Sequence, residues 1–164
     1  MDVSRPTSEL RVEKHPALAD ITLSSGERAH GCFFVAGGSP RHEGPERVGD
    51  LLNSDAGFFP FQIRDRTGAR ILLYNRSHVL TVALAENEAR RDPGYELATR
   101  RFVSVVLSNG QTLAGTVRIY EPDGHNRLSD WARPGDAFRY LETDDVTLLI
   151  NMAHVITLAE RTDL

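Results

Sequence analysis

Leu107-Ser108-Asn109-Gly110-Gln111-Thr112-Leu113-Ala114-Gly115 decides the reading of this chain, because its pattern occurs twice. Leu23-Ser24-Ser25-Gly26-Glu27-Arg28-Ala29-His30-Gly31 matches it at an offset of 84. Further along, Arg47-Val48-Gly49-Asp50-Leu51 matches Arg127-Leu128-Ser129-Asp130-Trp131 at an offset of 80, and Phe58 matches Phe138 at the same offset. Leu72 to Thr81 (Leu-Leu-Tyr-Asn-Arg-Ser-His-Val-Leu-Thr) matches Leu148 to Thr157 (Leu-Leu-Ile-Asn-Met-Ala-His-Val-Ile-Thr) at an offset of 76. The offset changes only inside Gly/Pro-rich or charged connections, at 37–41 and 65–68, where insertions are tolerated. Order and residue type persist across all three blocks, which points to an internal duplication.

Each copy reads as five short strands. In the second copy, Phe102 to Leu107 is rich in β-formers, and Ser108-Asn109-Gly110 is a tight-turn signal. Thr112 to Tyr120 then alternates with the period of two of a half-buried strand. Ala137 to Glu142, Val146 to Ile150 and His154 to Ala159 complete the set, with Asp144-Asp145 as a hairpin turn. The first copy repeats the series at Ile21 to Ser24, Arg28 to Ala36, Phe58 to Arg64, Ala69 to Tyr74 and His78 to Ala83. Gly31 and Gly115 fall mid-strand, where glycine serves a sharp bend or the close approach of another backbone. A small closed barrel needs such a bend. The expected organisation is mainly β: an N-terminal arm at 1–19, a first five-stranded barrel at 20–84, a partly helical linker at 85–101 and a second barrel at 102–164. Within the linker, Leu84 to Arg91 has helix-forming composition ended by Asp92-Pro93-Gly94, and Tyr95 to Arg101 reads as a second short helical piece.

Five strands of this length, a glycine turn after the first strand and a mid-strand glycine resemble the Sm-like, SH3-like small barrel. Leu107 to Gly115 is similar to that family's first block. Ile150-Asn151-Met152-Ala153-His154-Val155-Ile156-Thr157 is similar to its second, and its order of His, apolar residue, Ile and Thr resembles the bacterial Hfq branch. The resemblance spans about 120 of the 164 residues, and motifs this short speak for fold more than function. It implies tandem barrels and, as one functional expectation, RNA binding. The chain departs from the family pattern in three ways. Two barrels are fused, a long Arg-x-x-Asp loop replaces a short connection, and Ser77 and Ala153 stand where the Hfq-type turn has Lys.

Charge speaks against a nucleic-acid backbone as the partner. The 19 basic and 23 acidic residues give a net charge of -4, and Lys14 is the sole lysine. The arginines are interleaved with acids, not gathered into a run. Residues 1–84 carry ten basic and ten acidic groups, whereas 102–164 carry five and nine, a net of -4. A barrel with that balance repels phosphates unless one face concentrates its Arg. The longest apolar run, Cys32 to Ala36, is five residues, far short of the roughly 20 of a membrane-spanning helix. With no leader pattern at the start, a cytoplasmic location is expected.

Two polar pairs recur in both copies. Asn75-x-x-His78 and Asn151-x-x-His154, with Arg76 beside the first, read functionally as base-stacking or hydrogen-bonding groups for RNA. Structurally they read as Asn holding a turn and His opening the last strand. Arg47-x-x-Asp50 and Arg127-x-x-Asp130 read functionally as docking loops whose Arg engages a partner carboxylate. Their structural reading is an internal ion pair or a helical turn with an acidic start. A cyclic-dinucleotide reader would need an Arg pair with short spacing, and Arg41 and Arg47 lack the right continuation.

Catalytic patterns are absent from the sequence. The six histidines, at 15, 30, 42, 78, 125 and 154, show no metal-ligand spacing, and no phosphate-binding glycine loop or nucleophile elbow occurs. Lone Cys32 reads as core. No enzyme activity, cofactor or metal is expected. The leading expectation is an accessory or structural subunit that docks through its arm and loops onto a larger protein complex. The cytoplasmic face of a membrane complex, respiratory or photosynthetic, is compatible with that expectation, and any membrane association is expected through a partner. Phe59, Tyr95 and Trp131 are the expected exposed anchors, since aromatic residues dominate interface hot spots. The alternatives are an Sm-like RNA-binding protein and a sensor holding a small ligand between the barrels.

Overall fold

A computed structural model describes residues 13–38 and 44–162. Ten strands form one antiparallel sheet: β1 (Lys14–Leu23), β2 (Arg28–Ala36), β3 (Phe58–Asp65), β4 (Gly68–Asn75), β5 (Val79–Leu84), β6 (Thr99–Leu107), β7 (Thr112–Ile119), β8 (Phe138–Glu142), β9 (Thr147–Asn151) and β10 (Val155–Glu160). Two short helices, α1 (Val48–Ser54) and α2 (Leu128–Trp131), lie between the second and third strands of each half. The strand order is β10-β6-β7-β8-β9-β5-β1-β2-β3-β4. The first five strands are thus ordered β5-β1-β2-β3-β4 and the last five β10-β6-β7-β8-β9, joined where β9 meets β5.

Turn chemistry is the same in both halves. Between β1 and β2, the Leu23 and Gly26 N–H groups donate to the Glu27 and Leu23 carbonyls, both at 2.9 Å. Between β6 and β7, Leu107 and Gly110 donate to Gln111 and Leu107, also at 2.9 Å. Gly26 at φ +90° and Gly110 at φ +85° carry the left-handed residue of each turn, a conformation that costs glycine little. The mid-strand glycines serve close approach. A Cβ on Gly31 would sit 1.9 Å from the Gln62 carbonyl oxygen, and one on Gly115 would sit 2.7 Å from that of Glu142. At these points the second and third strands of each half barely pair. The β2–β3 ladder is Gly31↔Ile63 and Cys32↔Gln62, and the β7–β8 ladder is Thr116↔Glu142 alone.

Three sequence expectations shift. β1 begins at Lys14, so 14–19 belong to the sheet; residues 1–12 of the expected arm lie outside the described residues. Pro16 suggested a loop, but β5 pairs with β1 only from Ala19 to Leu23. At Pro16 the strand therefore has a single neighbour, and a missing N–H is tolerated there. The linker contains a 3₁₀ turn at Glu88–Arg91 and no α-helix, and β6 starts at Thr99 inside the expected second helical piece. Asp92 and Tyr95 are held by tertiary contacts described below, which override local helix propensity. The Arg47 loop forms a helix of seven residues, longer than the single turn expected.

Two apolar cores flank the β5–β9 seam. The first gathers Ile21, Phe33, Phe59, Phe61 and Val82 with Val48 and Leu52 of α1. Its rings pack closely: Phe33 lies 5.4 Å from Phe59 and 5.0 Å from Phe61, centroid to centroid. The second gathers Val103, Val105, Leu107, Val117 and Leu141. Side chains alternate across a strand, so the seam strands feed both cores. Leu149 and Phe138 of the second half enter the first core, while Leu80 of the first half enters the second. The two halves are therefore packed as one body.

Candidate functional site

The repeated Arg-x-x-Asp pairs start the two helices. Asp50 Oδ2 accepts the Arg47 N–H and Asp130 Oδ2 accepts the Arg127 N–H, both at 2.9 Å, which satisfies a donor that a helix start leaves open. The side chains then diverge. Arg47 is buried and ion-paired with Asp92. Burial alone would lower its guanidinium, but the hydrogen bond and charge of Asp92 outweigh it and hold it above its usual value. Arg127 is exposed.

The linker ties the halves together through two carboxylates. Glu88 is buried at the start of α1, accepting the Val48 and Gly49 N–H groups and the Tyr140 hydroxyl, each at 2.9 Å. Burial pushes Glu88 above the usual carboxylate range despite those donors and nearby Arg91. Burial and the Glu88 charge together push the Tyr140 phenol up. Glu142 accepts from Arg118 Nε at 2.7 Å, from Asn87 Nδ2 at 2.9 Å and from the Tyr95 hydroxyl. Burial would raise Glu142, and these donors overcome it, leaving the group below its usual value.

Beside this network runs a cleft of about 1000 Å³ between the halves, lined among others by Arg47, Arg118, Tyr120, Trp131 and Arg139. Its cations are internally engaged. Arg47 pairs with Asp92, Arg118 with Glu142, and Arg139 donates to the Trp131, Arg133 and Asp136 carbonyls.

Several expected contact residues prove to be structural. Phe59 is fully buried in the first core, and Tyr95 is buried with the Arg118 guanidinium 3.5 Å from its ring centroid. Neither is an exposed anchor: the aromatic cluster claims one and the Glu142 network the other. Trp131 is half-buried, with Arg139 over its ring at 5.4 Å. Arg76, expected near RNA, is buried and donates to the Leu51, Leu52 and Phe58 carbonyls at 2.9, 3.1 and 2.8 Å. It thereby closes the end of α1, where carbonyls lack helical partners.

The Asn and His pairs hold the turns that open β5 and β10. Asn75 Oδ1 accepts the Ser77 N–H at 3.0 Å, and Asn151 Oδ1 accepts the Ala153 N–H at 3.1 Å. His78 Nδ1 lies 3.0 Å from Ser24 Oγ, and His154 Nδ1 lies 2.8 Å from Ser108 Oγ. At the seam the second pair does more. Buried Asn151 donates through Nδ2 to the Arg76 and Val79 carbonyls at 3.3 and 2.9 Å, and His154 Nε2 reaches the Ser77 carbonyl at 2.5 Å. A carbonyl only accepts, so Nε2 carries the hydrogen in that contact. Asn75 Nδ2 and His78 Nε2 have no hydrogen-bond partner among the described residues.

Among the described residues, β4 and β10 each lack a neighbour on one side. Their large exposed apolar side chains are Ile71 and Leu73 on β4 and Ile156 on β10, with Phe58 beside β4 on β3. Sequence reasoning passed over all of these, since alternation marks them as sheet residues without telling an edge from an interior strand. Among the described residues no helix is long and apolar enough to cross a membrane. Comparison with known protein families, with curated proteins and with solved structures finds no match to this chain.

Proposed function

We propose that the chain is a non-catalytic structural subunit of a larger protein assembly, built from two tandem small barrels of the Sm-like type. The common strand order of the halves supports the barrel reading. So do the glycines at the near-break between second and third strands and the matching Ser–His ties.

One observation carries the assembly reading: among the described residues both ends of the sheet are open and present large apolar side chains. Free edges are ordinarily blunted by charge, proline or cover, because an unpaired ladder templates the addition of another strand. The docking surface therefore moves from the arm and loops to the edges, with half-buried Trp131 as the remaining aromatic anchor. The RNA alternative is weakened, since Arg76 and Asn151 are buried in internal contacts and only Asn75, His78 and His154 are left accessible in part. The ligand-sensor alternative is weakened by the internal pairing of the cleft's arginines.

The test is the native size of the endogenous protein in gently solubilised lysate, with and without RNase, followed by mass spectrometry of the species. Co-migration with other proteins that survives RNase is expected. Collapse to a small species after RNase would favour the RNA alternative. A species holding this chain alone would remove the docking reading.

A further inference from the structure

A second pocket lies on the face of β6 and β7 turned away from the second core, and arginines from four parts of the chain line it. Its volume is about 440 Å³, within the range of small-molecule sites. Arg100 of β6, Arg118 of β7, Arg90 of the linker and Arg161 just past β10 supply its cations. Arg100 and Arg118 are direct partners across the β6–β7 ladder. Two like charges thus stand side by side on one face, an arrangement that destabilises a strand pair. Arg118 is satisfied internally by Glu142 at 2.7 Å. The Arg161 guanidinium lies 5.4 Å from the Phe102 ring centroid. Arg90 and Arg100 are exposed, and their guanidinium groups have no hydrogen-bond or ion-pair partner among the described residues. Once Arg118 and Glu142 cancel, three arginines face the single carboxylate of Asp144, a net of +2. That excess stands against a net of -4 over residues 102–164.

The repeat shows that the fold does not require these arginines. In the first half, Pro16 pairs with Phe34 where Arg100 pairs with Arg118 in the second. The Ala85 N–H donates to the Leu18 carbonyl at 3.2 Å, and the Arg161 N–H donates to the Phe102 carbonyl at 2.7 Å. The backbone therefore repeats while Pro16, Phe34 and Ala85 are matched by Arg100, Arg118 and Arg161. All three differences fall on one face and line one pocket.

We propose that this pocket binds a small soluble phosphorylated anion through Arg90, Arg100 and Arg161. A phosphate group presents three acceptor oxygens in different directions, which suits guanidinium groups arriving from three separate elements. A carboxylate presents only two, in one plane. Guanidinium bonds to phosphate are charge-assisted and readily bidentate. A bound dianion also offsets the repulsion between Arg100 and Arg118, which the apolar partners of the first half never face. The site is separate from the sheet edges and does not depend on the subunit reading.

The test uses the full chain and inorganic pyrophosphate, titrated by calorimetry at constant ionic strength. One saturable site is expected. The melting temperature is expected to rise with added pyrophosphate, because a ligand that binds only the folded state stabilises it. Arg100→Gln is expected to weaken binding by at least about tenfold, the effect of losing a charge-assisted contact. Its melting temperature without ligand should stay at or above that of the unaltered chain, since a like-charge neighbour is gone. Arg90→Gln, in the linker outside the sheet, is expected to weaken binding as well. Arg28→Gln, at an exposed position of the first half, is expected to leave binding unchanged. Equal weakening by Arg28→Gln, or no saturable binding, would overturn the site. Citrate binding as tightly as pyrophosphate would overturn the choice of phosphate. An oligouridine that binds and is not displaced by pyrophosphate would make the face a polynucleotide surface and overturn the small-anion assignment.

Discussion

The β5–β9 seam and the free edges at β4 and β10 are built from matching sequence, yet one is the most thoroughly buried part of the sheet and the others face solvent. Leu149 at the seam and Leu73 at the edge follow the same Leu and precede an aliphatic or aromatic residue and Asn. Local sequence makes both of them strand residues. Only the partner strand makes one of them core. The apolar pattern of a strand thus records that a face is to be covered, and the topology decides whether the cover lies within the chain.

The largest effect that can break this comparison is truncation at the matched leucines. Leu149→Ala is expected to lower stability by about 2–5 kcal/mol, the range for a buried leucine, while Leu73→Ala changes the monomer by less than about 0.5 kcal/mol. Denaturant titrations of both variants check it; equal losses would erase the distinction.

Next come the glycines, where the two halves should behave alike in kind. Gly31→Ala forces a Cβ against a backbone carbonyl at 1.9 Å, and Gly115→Ala meets one at 2.7 Å. Overpacking against backbone is expected to cost about 1–3 kcal/mol or somewhat more, with Gly31 the worse of the two. Thermal melts give the order, and a harmless Gly31→Ala would mean that β2 and β3 separate freely.

The asparagines sharpen the contrast further. Asn151→Ala leaves two seam carbonyls without their donor and is expected to cost about 1–3 kcal/mol. Asn75→Ala removes only the bonds its Oδ1 accepts from the Ser77 N–H and hydroxyl and is expected to cost about 1 kcal/mol or less. Urea unfolding of both variants measures the difference, and equal losses would mean that the seam bonds of Asn151 add nothing.

Smallest is the acid response of the linker carboxylates. Glu142 sits below its usual value in the folded chain, so its contribution is present above the ordinary glutamate range, about pH 4.3, and is lost as pH falls through the folded value. Glu88 sits above its usual value, so the folded state gains relative stability as pH falls toward and through that ordinary range. Glu142→Gln is expected to flatten the loss of melting temperature in acid, and Glu88→Gln to steepen it. Parallel acid curves for the two variants would show that neither carboxylate titrates as its surroundings dictate.

Much of the strand layout was legible because its signals are local. Gly26 and Gly110 mark turns through backbone geometry that a side chain disfavours, and Asn75 and Asn151 mark turns by bonding two residues onward. Asp50 and Asp130 mark helix starts for the same reason. Less legible was β1, whose first half carries Pro16 and little β-branched character and is held by β2 across the sheet. The candidate contact residues were the least legible. Phe59, Tyr95 and Arg76 have the composition of a binding surface, and each is consumed by a contact from a distant part of the chain.

The sequence alone therefore determined what a few neighbouring residues can do by themselves: where the backbone turns, where strands run, which positions are apolar, and that the pattern occurs twice. Tertiary structure alone decided which strand lies beside which, and so which of two matching leucines is core, which of two matching asparagines has carbonyls to bond, and which edges stay open. The physical reason is range. A turn or a strand preference is set by atoms within a few residues, whereas burial and the pairing of an edge depend on strands that arrive from tens of residues away.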